Sequence, residues 1–338
     1  MTQPPAFWNR GGRWHPLSLL AWPLSGIWAW AGARRLRRGA WEKIPVPVIC
    51  VGNINAGGTG KTPTVIALAE FLAARGVAAH VVSRGYGGTV EGPVRVDEML
   101  HKAGEVGDEP LLMAAFAPTW VAKDRALGAK AAMAAGAEVI LLDDGFQNPA
   151  LHKDLSIIVV DAAVGFGNGR VLPAGPLREP VATGLARGDV VVSIGGTKAQ
   201  AALSAQWPQL DDMPRLRAAL QPLKTGMDWQ GAGVLAFAGI GRPAKFFKSL
   251  EREGAEIVAS HSFADHAPYS NAVLQRLLKE AAQKGVQLVT TEKDAARLPA
   301  SFRPNVLAFP VRLIFEDEAR LGEILANAGI GTNTGTPD

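Results

Sequence analysis

The sequence predicts an α/β fold: a parallel sheet with helices on both faces, joined to a smaller second α/β domain. Three observations predict it. Short β-branched apolar runs alternate with alanine- and leucine-rich helical patterns from residue 44 to about 194, the signature of strands linked by crossover helices. The same alternation resumes after residue 231, beyond a stretch of mixed texture. The length, 338 residues, exceeds that of an ordinary single domain. The expected organisation is therefore an N-terminal segment (1–43), a main domain (44–200), a linker (201–230), a second domain (231–329) and a disordered tail (330–338).

The first forty residues hold five of the nine tryptophans, six arginines and no acidic residue. With a net charge of +4 overall, the rest of the chain sums to −2, so the basic character belongs to this segment. It does not imply a nucleic-acid surface. Residues 17–33 are uncharged and mostly apolar, with Pro23 near the middle, and Arg34-Arg35-Leu36-Arg37-Arg38 follows. Tryptophan favours the membrane interface, and arginine binds anionic headgroups. Leu17, Leu20, Leu24, Ile27 and Trp28 share one helical face, with Ser18 and Ser25 elsewhere. The pattern favours a membrane-associated helix lying in the leaflet, over a single span or a helix packed on the protein's own core. No A-x-A cleavage site follows it. Cys50 is the one cysteine, which excludes an internal disulfide and reads as a small core residue.

A strand over residues 46–51 runs into Gly52-Asn53-Ile54-Asn55-Ala56-Gly57-Gly58-Thr59-Gly60-Lys61-Thr62, after which a helix over 63–74 is expected. Strand, glycine loop, Gly-Lys-Thr and helix make a phosphate-binding P-loop, so the sheet is of the P-loop NTPase type. Asn55, Gly57, Gly58, Thr59, Gly60, Lys61 and Thr62 are the nucleotide-binding candidates. Lys61 would reach the outer phosphates and the Thr62 hydroxyl would bind Mg²⁺. The general pattern wants glycine where this chain has Asn55; asparagine tolerates positive φ, which would let the loop form.

A second strand over 78–83 ends in Arg84-Gly85-Tyr86-Gly87-Gly88, and residues 89–100 read as irregular. Gly107-Asp108-Glu109-Pro110 sets two carboxylates before a helix over 111–116; the plain alternative is N-capping by Asp108. A short strand (119–122) and a further helix opening at Lys123 precede Val139-Ile140-Leu141-Leu142-Asp143-Asp144. Aspartate ending an apolar strand is a Walker-B-like metal site, and adjacent aspartates point different ways. Strands at 155–161 and 190–194 flank a Gly/Pro/Arg-rich loop, 165–180, long enough to suggest function. Strands at 234–238, 256–260 and 287–291 and helices at 244–253, 271–284 and 316–328 complete the reading.

With these residues in place, the chain resembles the tetraacyldisaccharide 4′-kinases, the lipid A 4′-kinases of Gram-negative bacteria. The marks are GNINAGGTGKTP, SRGYGG, GDEP, LDDGFQN, LPAGPLREP, FADHAPY and TEKD, and their order is more specific than any one alone. The resemblance implies transfer of the γ-phosphate of MgATP to the 4′-hydroxyl of a lipid disaccharide 1-phosphate, with ATP and Mg²⁺ as cofactors. It also implies a β-ribbon linker and a peripheral place on the cytoplasmic face of the inner membrane. No nucleic acid and no obligate protein partner are expected. By the same resemblance Asp108 is the base toward the 4′-hydroxyl, and His266 its hydrogen-bonded support. Thr62, Glu109, Asp143 and Asp144 form the metal site, and Arg84, Tyr86, Gln147, Arg178 and Glu179 face the glycolipid headgroup. Asn148 departs from the family, where many members have His. The rival from another class is a membrane-recruited P-loop ATPase acting as a nucleotide-dependent switch, but a switch needs no acceptor base. A soluble small-molecule kinase would leave residues 1–40 unexplained.

Overall fold

The computed structural model describes residues 5–9, 11–224, 226–265 and 267–331. An N-terminal helix, α1 (Pro16–Arg37), precedes the first domain. That domain runs β1 (Val48–Gly52), α2 (Lys61–Ala73), β2 (Ala79–Ser83), β3 (Val94–Arg95), α3 (Ala103–Val106), α4 (Asp108–Ala114), β4 (Thr119–Val121), α5 (Arg125–Ala134), β5 (Val139–Asp143), β6 (Leu155–Asp161), α6 (Val181–Leu185), β7 (Val190–Ile194), α7 (Thr197–Gln206) and β8 (Arg215–Pro222). The second domain holds β9 (Gly233–Ala238), α8 (Pro243–Arg252), β10 (Glu256–Ser262), α9 (Asn271–Lys284), β11 (Gln287–Thr291), α10 (Glu292–Arg297) and β12 (Leu307–Phe309). β13 (Val311–Phe315) and α11 (Glu318–Asn327) end the chain's regular structure.

Nine strands form the large sheet in the order β13-β8-β7-β6-β1-β5-β2-β4-β3. All pairs are parallel except the two at the edges, β13–β8 and β3–β4. The central strands are apolar on both faces because both faces are covered. Ile49 and Val51 of β1 face the side packed by α2 and α11, whereas Val48 and Cys50 face the side packed by α5, α6 and α7. This is the period-two alternation of a strand. Cys50 is fully buried, and burial pushes its thiol up to about 11, as suits an inert core residue. The second domain repeats the plan with four parallel strands, β10-β9-β11-β12, between α8 and α9.

Three boundaries differ from the sequence reading. The expected linker 201–230 contains β8, a strand of the large sheet. The end of the expected second domain returns to the first: β13 pairs antiparallel with β8, and Leu321 and Leu325 of α11 join the core beneath α2. Ile330, placed in the disordered tail, is buried in that same core, while 332–338 lie outside the described residues. An alternating strand does not announce which sheet it will join, so the ribbon's return was invisible in the pattern. The irregular stretch 89–100 contributes β3, a two-residue edge strand.

α1 is turned inside out relative to a soluble helix. Its polar seam faces the protein: the Ser18 hydroxyl donates to the Ala174 carbonyl at 2.7 Å and the Ser25 hydroxyl to the Val171 carbonyl at 2.7 Å, both buried. Its apolar face points outward, with Leu20 78% exposed and Leu17, Trp22, Leu24, Ile27, Trp28 and Trp30 all more than half exposed. Among the described residues, no helix is long and apolar enough to cross a membrane.

Candidate active site

The site gathers at the carboxyl ends of β1, β2 and β5, where an open α/β sheet places its ligands. The loop after β1 ends in Gly60 at φ 103°, a left-handed conformation, and a Cβ there would meet Ile194 Cδ1 at 2.4 Å. Only glycine satisfies both constraints. Lys61 and Thr62 then begin α2, whose N-terminal amides and dipole favour an anion. Asn53, a residue the motif does not name, braces the loop from within: its side-chain amide donates to the Gly57 carbonyl at 3.1 Å and the Thr59 hydroxyl at 3.0 Å. Asn55 does not adopt the positive φ that its substitution for glycine suggested; Gly57 and Gly60 take that role. Its side chain instead donates to the Gly165 carbonyl at 3.1 Å, and its backbone bridges to Leu177. It therefore ties the phosphate loop to the 165–180 loop.

The two aspartates after β5 separate because Asp144 turns into the left-handed region, at φ 49°. Asp143 points inward and accepts from the Ser83 hydroxyl at 2.8 Å. Burial, the Glu109 charge and the Asp144 charge together push its carboxyl up to about 7. Asp144 points to the phosphate loop, 3.7 Å from Lys61 Nζ, and receives a bidentate pair from Arg178 at 2.8 and 3.1 Å. Burial would raise its pKa, but Lys61 and Arg178 outweigh it and hold the carboxyl below the usual range. Neighbouring carboxyls pushed apart in this way can serve different tasks. Asp143 Oδ1 is buried with no hydrogen-bond partner, and like charges crowd it. A hard dication with oxygen ligands relieves both conditions, so Thr62, Asp143, Asp144 and Glu109 fit Mg²⁺ in chemistry. Among the described residues, no three acidic, His or Cys side chains stand close enough together to form a ready-made metal site.

Arg178 stands on a chain of braces. The Gln147 side-chain amide donates to the Asn53 carbonyl at 2.8 Å and to Glu179 at 2.9 Å, while its oxygen accepts from Arg178 at 3.0 Å. Glu179 is in turn gripped by Arg187 at 2.6 Å, and Arg187 lies over the Phe146 ring, 4.2 Å from its centroid. Gln147, Arg178 and Glu179 thus sit with the phosphate loop and Asp144, so the structure gives them a bracing geometry at the nucleotide end. Arg187 was missed in the sequence because it lies outside every motif. Asn148, the departure from the family, forms a local turn by accepting from the Ala150 amide.

Asp108 and Glu109 open α4, after Gly107 at φ 92°. The N-cap of α4 is Gly107, and Asp108 Oδ1 accepts from the adjacent Glu109 amide at 3.1 Å. It is 4% exposed. Lys293 of α10 closes on the pair, 2.9 Å from Glu109 Oε1 and 3.9 Å from Asp108 Oδ2, and Arg297 Nε lies 3.8 Å from Asp108. Arg84 and Tyr86 are exposed on the neighbouring loop, whose backbone packs against Gly107. His266 lies outside the described residues. Trp28 and Arg35 of α1 donate to the carbonyls of Arg178 (3.2 Å) and Gln147 (2.9 Å), which bolts that helix to the site's wall.

Comparison with known proteins assigns the chain to a family. Residues 16–329 match the family model for Tetraacyldisaccharide-1-P 4′-kinase. The chain belongs to that family. A tetraacyldisaccharide 4′-kinase of Dinoroseobacter shibae is 59% identical over 326 residues, covering 94% of this chain and 95% of its own. One from a Jannaschia species is 56% identical over 313 residues, covering 93% and 95%. Among solved structures, LpxK from Aquifex aeolicus in complex with ATP superposes with a TM-score of 0.73 at 28% identity, covering 92% of this chain and 99% of that one.

Proposed function

We propose that this site divides its work between two ends, nucleotide and acceptor, held by different parts of the chain. The activity is that of the family: the γ-phosphate of MgATP passes to the 4′-hydroxyl of a tetraacyldisaccharide 1-phosphate, a step of lipid A biosynthesis. Lys61 and the amides of Gly57, Gly58, Thr59 and Gly60 cradle the phosphates. Thr62, Asp143, Asp144 and Glu109 would hold Mg²⁺, which would supply charge neutralisation to the transferring phosphoryl group. Asp108 accepts the proton of the 4′-hydroxyl and orients it, with His266 as its support. The exposed Arg84 and Tyr86 are assigned to the sugar headgroup. Gln147 and Glu179 act by fixing Arg178, whose guanidinium faces Asp144.

The observation that carries this reading is the Asp108–Glu109 pair. Its Glu109 acts electrostatically on Asp143, yet the pair belongs to neither the phosphate loop nor the Walker-B-like strand. A nucleotide switch has no use for such a pair. The outward apolar face of α1 supports a peripheral place on the cytoplasmic face of the inner membrane. There the acyl chains of the substrate stay in the leaflet while the headgroup reaches the adjoining site. The test is purified protein with labelled ATP and a lipid disaccharide 1-phosphate in detergent. Acceptor-dependent label transfer is expected; folded, ATP-binding protein that transfers no label would refute the reading.

A further inference from the structure

α10 is only six residues long, yet its charged side chains hold four different parts of the molecule. Glu292 receives Arg312 of the β8–β13 ribbon at 2.8 and 3.0 Å, and Arg312 lies over the Phe116 ring beyond the end of α4. Asp294, fully buried, accepts from the Gly239 amide, the Tyr269 hydroxyl at 2.7 Å and the Thr291 hydroxyl at 2.7 Å. Arg297 pairs with Asp294, donates to the carbonyls of Gly239 (2.9 Å) and Ala267 (3.2 Å), and lies against the Tyr269 ring. The bonds of Asp294 and Arg297 hold α10 within the second domain, and Glu292 ties it to the β8–β13 ribbon. Lys293 projects from that fixed frame across the domain boundary to Glu109 and Asp108.

We infer that Lys293 is a positioning residue for phosphoryl transfer: it reaches from the second domain to hold the Asp108–Glu109 pair in its working geometry. The inference rests on the assignment of Asp108 to the acceptor and Glu109 to the metal. The physical need is plain. Asp108, Glu109, Asp143 and Asp144 crowd one site, and like charges so placed drive each other apart. An ammonium is a compact point charge that can serve two carboxylates at once, without the planar match a guanidinium demands. Arg297, anchored by Asp294, stands behind Lys293 as the second cation near Asp108.

The test uses the full chain, labelled ATP and a lipid disaccharide 1-phosphate in detergent. Lys293→Met should lower kcat by about tenfold to 10²-fold, the range for a misplaced reacting group. The KM for ATP should stay within about threefold, because Lys61 and the phosphate-loop amides are untouched. Lys293→Arg should recover part of the lost rate, which loss of mere packing would not allow. Lys293→Met combined with Asp108→Asn should be scarcely slower than Asp108→Asn alone, as groups acting through one another are not additive. Lys293→Gln gives the same reading should the Met variant fail to fold. A wild-type kcat in Lys293→Met, beside a slow Asp108→Asn, overturns the inference and leaves the site assignment standing. A wild-type kcat in Asp108→Asn overturns the assignment itself. A large rise in ATP KM would move Lys293 to the nucleotide end and also refute the inference.

Discussion

The nucleotide end and the acceptor end of the site are built on opposite principles. Lys61, Asp143 and Asp144 hang from β1 and β5, adjacent strands of one sheet whose register pairs Val51 with Asp143. Arg178, Gln147, Glu179 and Arg187 brace them through hydrogen bonds within the same domain. The acceptor end has no such frame. Asp108 and Glu109 sit on the seven-residue α4, and the cations that hold them come from α10 of the other domain. Sheet register fixes one end, and ion pairs across a boundary fix the other. The lesson is that damage should read differently at the two ends: as lost chemistry or stability at the first, as lost positioning at the second.

The largest effect is expected at Lys61. Removing a charge that stabilises a transferring phosphoryl group costs about 10³-fold in such sites. Lys61→Ala should therefore fall at least that far in kcat while melting near the wild-type temperature. A well-folded Lys61→Ala enzyme with near-normal turnover would sink the phosphate-loop assignment.

Next comes the acceptor base. Asp108→Asn should slow transfer by about 10²-fold or more, within the range for lost proton acceptance. ATP affinity should change little. His266→Ala should cost less, since it leaves the carboxylate in place, and the double variant should lose less than the product of the two single losses. Rate measurements on all three decide the matter: multiplicative losses break the coupled pair, and lost ATP binding in Asp108→Asn would move that residue to the metal end.

Arg187 tests the claim that the nucleotide end is one braced unit. Its removal leaves the buried Glu179 carboxylate with the Gln147 amide as its hydrogen-bond partner among the described residues, and Lys153 as the more distant cation. An uncompensated buried carboxylate is costly, here about 2 kcal/mol because the Gln147 hydrogen bond persists. Arg187→Ala should lower the denaturation midpoint accordingly and reduce kcat only several-fold. An unchanged midpoint would show that Glu179 does not depend on its ion pair.

How much of this was legible follows the same division. Lys61, Thr62, Asp143 and Asp144 lie in local patterns whose chemistry requires their spacing, and the structure sets Lys61 Nζ 3.7 Å from Asp144. The braces are different. Lys293 and Glu109 stand 184 positions apart, and Gln147 and the Asn53 carbonyl 94 apart. Pairings at that range depend on the tertiary fold, within one domain for Gln147 and between two for Lys293, which no local spacing records. Lys293 and Asp294 were visible only as part of the TEKD mark, without a task. In α1 the periodicity picked out the apolar face correctly but could not say which medium that face meets.

The smallest effects should come from α1, where the comparison is between two faces of one helix. Ser25 is buried, donating to the Val171 carbonyl and accepting from the Ala174 amide at 3.3 Å. Leu20, though apolar, stands in the open. Ordinary expectation would make Leu20 the structural residue; the geometry makes it Ser25. Ser25→Ala should destabilise the fold by about 1 kcal/mol, the net worth of a hydrogen bond to a buried backbone group. Leu20→Ser should leave the midpoint within about 0.5 kcal/mol, as for a surface substitution. Its effect should appear on anionic vesicles instead, where losing the burial of one leucine weakens binding by about 1.5 kcal/mol, or roughly tenfold. Denaturation and vesicle co-sedimentation of the two variants separate the roles. If Leu20→Ser destabilises the fold and leaves vesicle binding unchanged, the outward face belongs to the protein and not to a membrane, and the acceptor must reach the site by another route.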